Sequence, residues 1–239
     1  MTLDRPLFFL HIPKTGGLTL RYLLNRLFAK EDICPVNGLD SFCALSDEQI
    51  AHYRFFRAHI PYCAVKLMPQ TPIRITFLRN PFDRTLSHYA YLKTRPDIML
   101  SKQAIELDLL PYLRDPLVRH NQTDLMTYFI SADFEPRGKR TRRKDLDLAL
   151  HRLETVEFVG ITERYDESMQ LLAHVLGIPP FPHVPRRNVS PERRRVSDLT
   201  PDEYAEIDRM TRLDQALYAQ AVAEFDKRLA ALKRETVQP

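Results

Sequence analysis

Apolar residues occur along the chain in short bursts and in helical stripes, and the bursts end at turn-forming residues. Residues 7–12, Leu-Phe-Phe-Leu-His-Ile, run into Pro13 and the pair Gly16-Gly17, which predicts a buried strand feeding a tight loop. Leu20, Leu23, Leu24, Leu27 and Phe28 then recur at helical spacing, so an amphipathic helix is expected over residues 18–29. The theme returns at residues 73–78, a β-branched run between Pro72 and Pro81. There Asn80 is a candidate N-cap with Pro81 at the first helical position, and the helix should run to about residue 94. Residues 156–161 and 166–176 repeat it once more, the helix closing at Gly177 and two prolines. Residues 53–60 are a further strand candidate. Repeated strand-then-helix units predict an α/β fold with a central parallel sheet.

Between these units the pattern is weaker. Residues 98–134 read as helical and loop-like, and the polar basic stretch 135–144, with Pro136 and Gly138, reads as an exposed loop. The proline-rich stretch 179–191 is a connector. A C-terminal helical region, 200–233, opens with the capping-box pattern Thr200-Pro201-Asp202-Glu203 and buries the stripe Leu213, Leu217, Ala221, Phe225, Leu229 and Leu232.

Composition narrows the class. At 239 residues and 44% hydrophobic, the chain supports one sizeable core, read as a single domain over residues 1–239, and is neither disordered nor fibrous. Lys and Arg number 35 against 31 Asp and Glu, a net charge of only +4, but they cluster at 137–144 and 186–195. An anionic ligand is therefore expected, and charge alone leaves nucleic acid open. Cys34, Cys43 and Cys63 match no zinc spacing and no disulfide framework, which points to a reducing compartment. The N-terminal apolar run is too short for a signal peptide or membrane anchor, so a soluble, cytoplasmic protein is expected.

Two segments carry chemistry. In residues 11–19, His-Ile-Pro-Lys-Thr-Gly-Gly-Leu-Thr, the glycines allow backbone N–H groups close to an anion, the following helix adds its positive end, and Lys14 adds a full charge. The spacing is not that of a nucleoside-triphosphate loop, in which the lysine follows the glycines. In residues 73–89 a strand ends in Arg79-Asn80-Pro81 and the next helix carries Arg84 and Ser87. A guanidinium fork, a hydroxyl and a helix N-terminus make a second anion site. Two such sites on successive strand-helix junctions suit a nucleotide with phosphates at both its 3′ and 5′ positions.

These motifs resemble those of the sulfotransferases that use 3′-phosphoadenosine 5′-phosphosulfate (PAPS), in particular the carbohydrate branch with uronyl and heparan 2-O enzymes. The resemblance implies a three-layer, P-loop NTPase-like domain. It implies that Lys14, Thr15, Gly16, Gly17, Leu18 and Thr19 hold the 5′-phosphosulfate and that Arg79 and Ser87 hold the 3′-phosphate. Leu18 stands where relatives often have Ser or Thr. Residues 55–62, Phe-Phe-Arg-Ala-His-Ile-Pro-Tyr, resemble the segment carrying the base, which makes His59 the catalytic base and Lys14 the catalytic cation; Arg57 replaces a second histidine of the closest pattern. Arg186 and Asn188 fall where relatives close a basic loop over the nucleotide. Residues 156–165 match a framework segment.

The resemblance further implies sulfuryl transfer to a hydroxyl acceptor, read as a saccharide, with adenosine 3′,5′-bisphosphate as product, no metal and no nucleic-acid partner. The acceptor cleft is expected between the loop after His59 and residues 137–144. Arg84 is expected to be solvated or paired with Asp83 or a neighbouring loop, His52 and His88 to lie on the surface, His11 to be structural or a minor phosphate contact, and His120 to be a candidate substrate contact. A small-molecule or nucleotide kinase lacks its lysine spacing here, and a non-catalytic anionic-polymer-binding module leaves the two phosphate motifs without a use.

Overall fold

The computed structural model describes residues 3–134, 141–181 and 194–237. Four strands, Leu7–Leu10 (β1), Phe55–Phe56 (β2), Ile73–Leu78 (β3) and Phe158–Ile161 (β4), form one parallel sheet in the order β2-β1-β3-β4. β1 is central: Leu7 pairs with both Phe55 and Ile73, and Leu10 with Thr76, while Leu78 of β3 pairs with Ile161. All four residues of β1 are buried. Such a run, apolar without alternation, is what a parallel strand covered on both faces requires.

The helices are Gly17–Leu24 (α1), Leu39–Cys43 (α2), Asp47–His52 (α3), Pro81–Lys93 (α4), Ser101–Glu106 (α5), Leu109–Arg114 (α6), Pro116–Gln122 (α7), Leu125–Ser131 (α8), Arg143–Glu154 (α9), Tyr165–Leu176 (α10), Pro201–Met210 (α11) and Arg212–Val237 (α12). The chain steps from β1 to β2 on one side, then passes back to β3 and on to β4 on the other. Crossovers between parallel strands are as a rule right-handed, so that taken in opposite directions they put helices on both faces, which accounts for the expected three-layer α/β architecture. The direction reverses between β1 and β3. The crevice beyond the carboxyl ends of those two strands is the place where such sheets bind ligands.

Local chemistry explains the element ends. Asn80 Oδ1 accepts the N–H groups of Phe82 (3.0 Å) and Asp83 (3.3 Å), a cap that contributes about 1 kcal/mol. Gly177 stops α10 in the left-handed conformation, φ 63°. Thr200 and Glu203 form the expected reciprocal cap of α11.

Several boundaries differ from the sequence expectation. The helix of residues 18–29 starts at Gly17 and is α-helical only to Leu24, tightening to a 3₁₀ turn over Asn25–Leu27. The strand of residues 53–60 shrinks to Phe55–Phe56, because β2 is an edge strand and the chain leaves the sheet at Arg57. Residues 98–134 hold four short helices, and the end of the stretch 135–144 is helical too, since Arg143 and Lys144 open α9. Residues 135–140 lie outside the described residues.

The core has two parts. The larger wraps the sheet; the smaller, with Phe82, Leu86, Tyr112, Leu113, Ile207 and Met210, joins α4 to the helices of residues 101–122 and to α11. A polar joint locks α8 to α12. Asp124 Oδ1 accepts the N–H of Leu213 at 2.9 Å, and in return Asp214 accepts the N–H of Met126 (3.2 Å), the N–H of Thr127 (2.7 Å) and the Thr127 hydroxyl (2.9 Å). Each carboxylate thus satisfies orphan donors at the start of the other's helix. Arg84 lies beside both, 0% exposed, and its attraction to Asp214 and Asp124 opposes the burial that lowers its own pKa.

Candidate active site

The β1 loop turns sharply, with two residues in the left-handed region. Lys14 takes φ 70° and Gly16 φ 83°, so the chain turns twice in the left-handed region before α1 begins. A non-glycine residue there is uncommon, and Lys14 is held by its neighbours. Its carbonyl accepts a hydrogen bond from Arg79 Nη1 at 3.1 Å, and its ammonium sits 3.8 Å from the centroid of the Tyr91 ring on α4. Thr162 Oγ1, just beyond β4, lies 2.7 Å from the carbonyl of Thr15 and 2.9 Å from that of Leu78, so it ties the β1 loop to the end of β3.

Side chains within the loop divide into inward and outward groups. The Thr15 hydroxyl is buried and donates to the Ile12 carbonyl at 2.9 Å, which leaves the backbone N–H as what Thr15 can offer an anion. Thr19 is buried as well, whereas Leu18 is 42% exposed. Gly17 is required for a different reason from Gly16. A Cβ at Gly17 would come within 2.2 Å of the His11 imidazole, so the first turn of α1 can rest on that ring only without a side chain.

At the second junction Arg79 is half-buried and stands 3.9 Å from Glu163. Glu163 also accepts the Asn80 N–H at 3.0 Å and the Tyr218 hydroxyl at 2.8 Å. Ser87 is half-buried on α4, one turn before Tyr91. A groove of about 470 Å³ opens beside the α4 N-terminus, lined by Asn80, Phe82, Tyr204, Gln215 and Tyr218 among others.

His59 leaves the sheet edge and returns over β1. Its Nδ1 is 2.6 Å from the carbonyl of His11, and the two rings are 4.3 Å apart between centroids. A carbonyl only accepts, so Nδ1 carries the hydrogen and Nε2 is left with a lone pair. Surrounding protein lowers the pKa of His59, the bond to the His11 carbonyl opposes that, and nearby Arg21 lowers it further. His11 itself is 3% exposed and its pKa lies well below the usual histidine value, first through burial and then through His59, Arg21, Arg57 and Lys14. Both imidazoles are therefore neutral near pH 7.

The structure thus gathers Lys14, Gly16, Gly17, Arg79 and His59 at the carboxyl ends of β1, β2 and β3. Arg186 and Asn188 lie outside the described residues. Arg84 corrects the expectation of a residue solvated or paired with Asp83 or a neighbouring loop: it is wholly buried and donates to the side chain (3.3 Å) and carbonyl (3.4 Å) of Gln122, the last residue of α7. His88 is not a surface residue. It is half-buried with Nδ1 3.4 Å from the Tyr112 hydroxyl, and burial, Arg84 and Lys14 push its pKa down to about 3. His52 and His120 are exposed.

The family model of galactose-3-O-sulfotransferases matches residues 7–239. The chain belongs to the galactose-3-O-sulfotransferase family. This agrees with the carbohydrate branch of sulfotransferases that the two phosphate motifs resemble. No curated protein matches the chain by sequence. Among solved structures, mouse sulfotransferase SULT7A1 complexed with PAP is similar at 14% identity over 89% of this chain, with a TM-score of 0.37. The chain spans 65% of that structure's length. In this member of the galactose-3-O-sulfotransferase family, no helix among the described residues is long and apolar enough to cross a membrane.

Sequence reasoning passed over Tyr91, Thr162 and Glu163. Tyr91 had a usable signal, since it follows Ser87 by four residues and so shares its face of α4. Thr162 and Glu163 lay in the segment read as framework, and only the pairing of β3 with β4 reveals that this segment borders the β1 loop.

Proposed function

We propose that this protein is a PAPS-dependent sulfotransferase that transfers the sulfuryl group to a saccharide hydroxyl, with His59 as base. One observation carries the reading: Arg79 is bonded to the carbonyl of Lys14, so the two anion-binding junctions stand side by side at the point where the sheet reverses direction. A ligand with anionic groups on both sides of a sugar fits that pair better than a nucleotide with a single phosphate chain.

The residues then divide the work. Backbone N–H groups of residues 14–19, the N-terminus of α1 and the Lys14 ammonium neutralise the 5′-phosphosulfate. Arg79 and Ser87 take the 3′-phosphate, with Arg186 and Asn188 as further contacts, and the groove beside Phe82 and Tyr204 has room for the purine. Lys14 is held over Tyr91 by a contact worth about 0.5–2 kcal/mol, which a charge-assisted hydrogen bond of about 1.5–3 kcal/mol to phosphate can replace. The lysine is thus stored beside its place of action.

In the transfer step the acceptor O–H gives its proton to His59 Nε2 while the acceptor oxygen forms a bond to sulfur. The bond between sulfur and the 5′-phosphate oxygen breaks, and its electron pair leaves on the phosphate of adenosine 3′,5′-bisphosphate, facing Lys14. The His11 carbonyl holds the Nδ1 hydrogen throughout, so the imidazolium forms without tautomer change. A cytoplasmic site of action belongs to the same reading, supported by three free cysteines.

The test is calorimetric titration with adenosine 3′,5′-bisphosphate, AMP and ATP, followed by transfer of radiolabelled sulfate from PAPS to galactosides. Preference for the bisphosphate and label in the sugar support the reading. Equal binding of the three nucleotides, or no transfer to any sugar, overturns it.

A further inference from the structure

Two arginines stand apart from the rest of the basic residues. Every other partly or fully buried arginine among the described residues donates to a carboxylate, a carbonyl or a side-chain amide: Arg74 to Glu157, Arg119 to Glu206, Arg152 to the carbonyls of Ile130 and Ala132. Arg21 and Arg57, both half-buried, make no hydrogen bond or ion pair among the described residues, and Arg57 Nε is buried without a partner. Buried cations are normally paired, because removing a charge from water without compensation is expensive.

Their placement brings them to one spot. Gly17 faces the His11 ring so closely that a Cβ would clash with it. Arg21 is four residues further along α1, hence on the same face, and helical side chains lean back toward the N-terminus. Arg57 precedes His59 by two residues, where the chain leaves β2, and the His59 ring rests on His11. Electrostatics agree with the geometry. Arg21 lowers the pKa of His11, of His59 and of Arg57, after burial in each case, and no carboxylate counters it on any of the three.

The strand order decides which ligand this pair faces. Arg79 and Ser87 follow β3, the phosphate loop follows β1, and Arg57 follows β2 on the far side of β1. Read across the sheet, the 3′-phosphate, the 5′-phosphosulfate and the base come in that order, and the two arginines lie at the acceptor end. The donor's charges are already met by Lys14, Arg79 and the loop amides.

We propose that Arg21 and Arg57 form an anion-recognising subsite for the acceptor, so that the preferred substrate is a sugar carrying a carboxylate or sulfate group near the hydroxyl that His59 deprotonates. The proposal deepens the sulfotransferase reading and rests on its assignment of His59 to the acceptor side. A neutral galactoside would leave both guanidinium groups desolvated and unmatched.

The experiment is calorimetric titration of the full chain with digalacturonate, a 6-sulfated galactobiose and neutral galactobiose, with and without adenosine 3′,5′-bisphosphate, on wild type, Arg21→Gln and Arg57→Gln. We expect at least one anionic disaccharide to bind tenfold or more tightly than the neutral one, and the preference to fall at least tenfold in each variant. Preference for the uronate alone identifies a carboxylate subsite, and preference for the sulfated sugar alone identifies a sulfate subsite. Equal binding of all three sugars, or a preference that survives both substitutions, overturns the proposal. Thermal melting of each variant checks that it is folded, and Arg57→Lys, which keeps the charge, should retain part of the preference. Failure of the donor reading shows separately, as loss of bisphosphate selectivity with the sugar preference intact.

Discussion

Arg79 reaches across from the end of β3 and donates to the backbone carbonyl of Lys14, 3.1 Å away. One side chain therefore shapes the β1 loop and carries its positive charge to the end of β3, where the proposed function puts the 3′-phosphate.

This double duty sets the pattern expected for Arg79→Ala. Loss of a charge-assisted hydrogen bond of about 1.5–3 kcal/mol corresponds to a weakening of roughly 10- to 150-fold for adenosine 3′,5′-bisphosphate. AMP, which lacks the 3′-phosphate, should weaken as well, but by less than about tenfold, through the released loop carbonyl alone. Calorimetry on both nucleotides checks this; equal losses would mean that Arg79 acts only on the loop.

His59 predicts a pH profile. Its pKa is lowered from 6.5, so above the lowered value the imidazole is neutral and Nε2 can accept a proton. As pH falls through it, the base is lost, and the acid limb of kcat/KM should have its midpoint below 6.5. Arg21→Gln removes a neighbouring cation and should move that midpoint up. His59→Ala should lower kcat about 100-fold or more and abolish the limb.

Gly17→Ala tests the contact between α1 and His11. In an ordinary helix the change stabilises by about 0.5–1 kcal/mol. Here the new methyl meets the His11 ring at 2.2 Å, so thermal stability should fall, and Gly17→Ala combined with His11→Ala should recover much of the loss.

Asp214→Ala should be among the most damaging substitutions far from the β1 loop. It strands two amides and a hydroxyl on α8 and leaves Arg84 short of a buried counter-charge. A loss of about 3 kcal/mol or more is expected, or roughly 6–12 °C in melting temperature for a chain of this size. Asp214→Asn, which keeps an acceptor, should be milder.

The sheet and its first two strand-to-helix junctions were legible in the sequence because their signals are local: a β-branched run, a glycine pair, an Asn-Pro cap. Residues 73–78 and the cap at Asn80 appear in the structure as read. What escaped was set by distance along the chain. Nothing near Arg84 announces that Gln122, Asp124 and Asp214 will enclose it, and a helical Arg two residues from exposed-looking positions reads as solvated. Tyr62, within the segment read for His59, likewise shows its role only in the fold, where Arg74 donates to its hydroxyl and that hydroxyl bonds Thr155. His88 was misread for the same reason, since its hydrogen-bond partner Tyr112 lies on α6 and one of the two cations that lower its pKa, Lys14, lies in the β1 loop.

The exchange of carboxylates between α8 and α12 has a consequence in time. All four strands precede residue 162, so the sheet is available early in synthesis. The first-turn amide of Thr127, however, waits for an acceptor 87 residues downstream. Chains fold from the N-terminus as they emerge, and a helix start with open donors is frayed until capped. The sheet is therefore complete before α12 exists, while the start of α8 gains its cap only once Asp214 has been made.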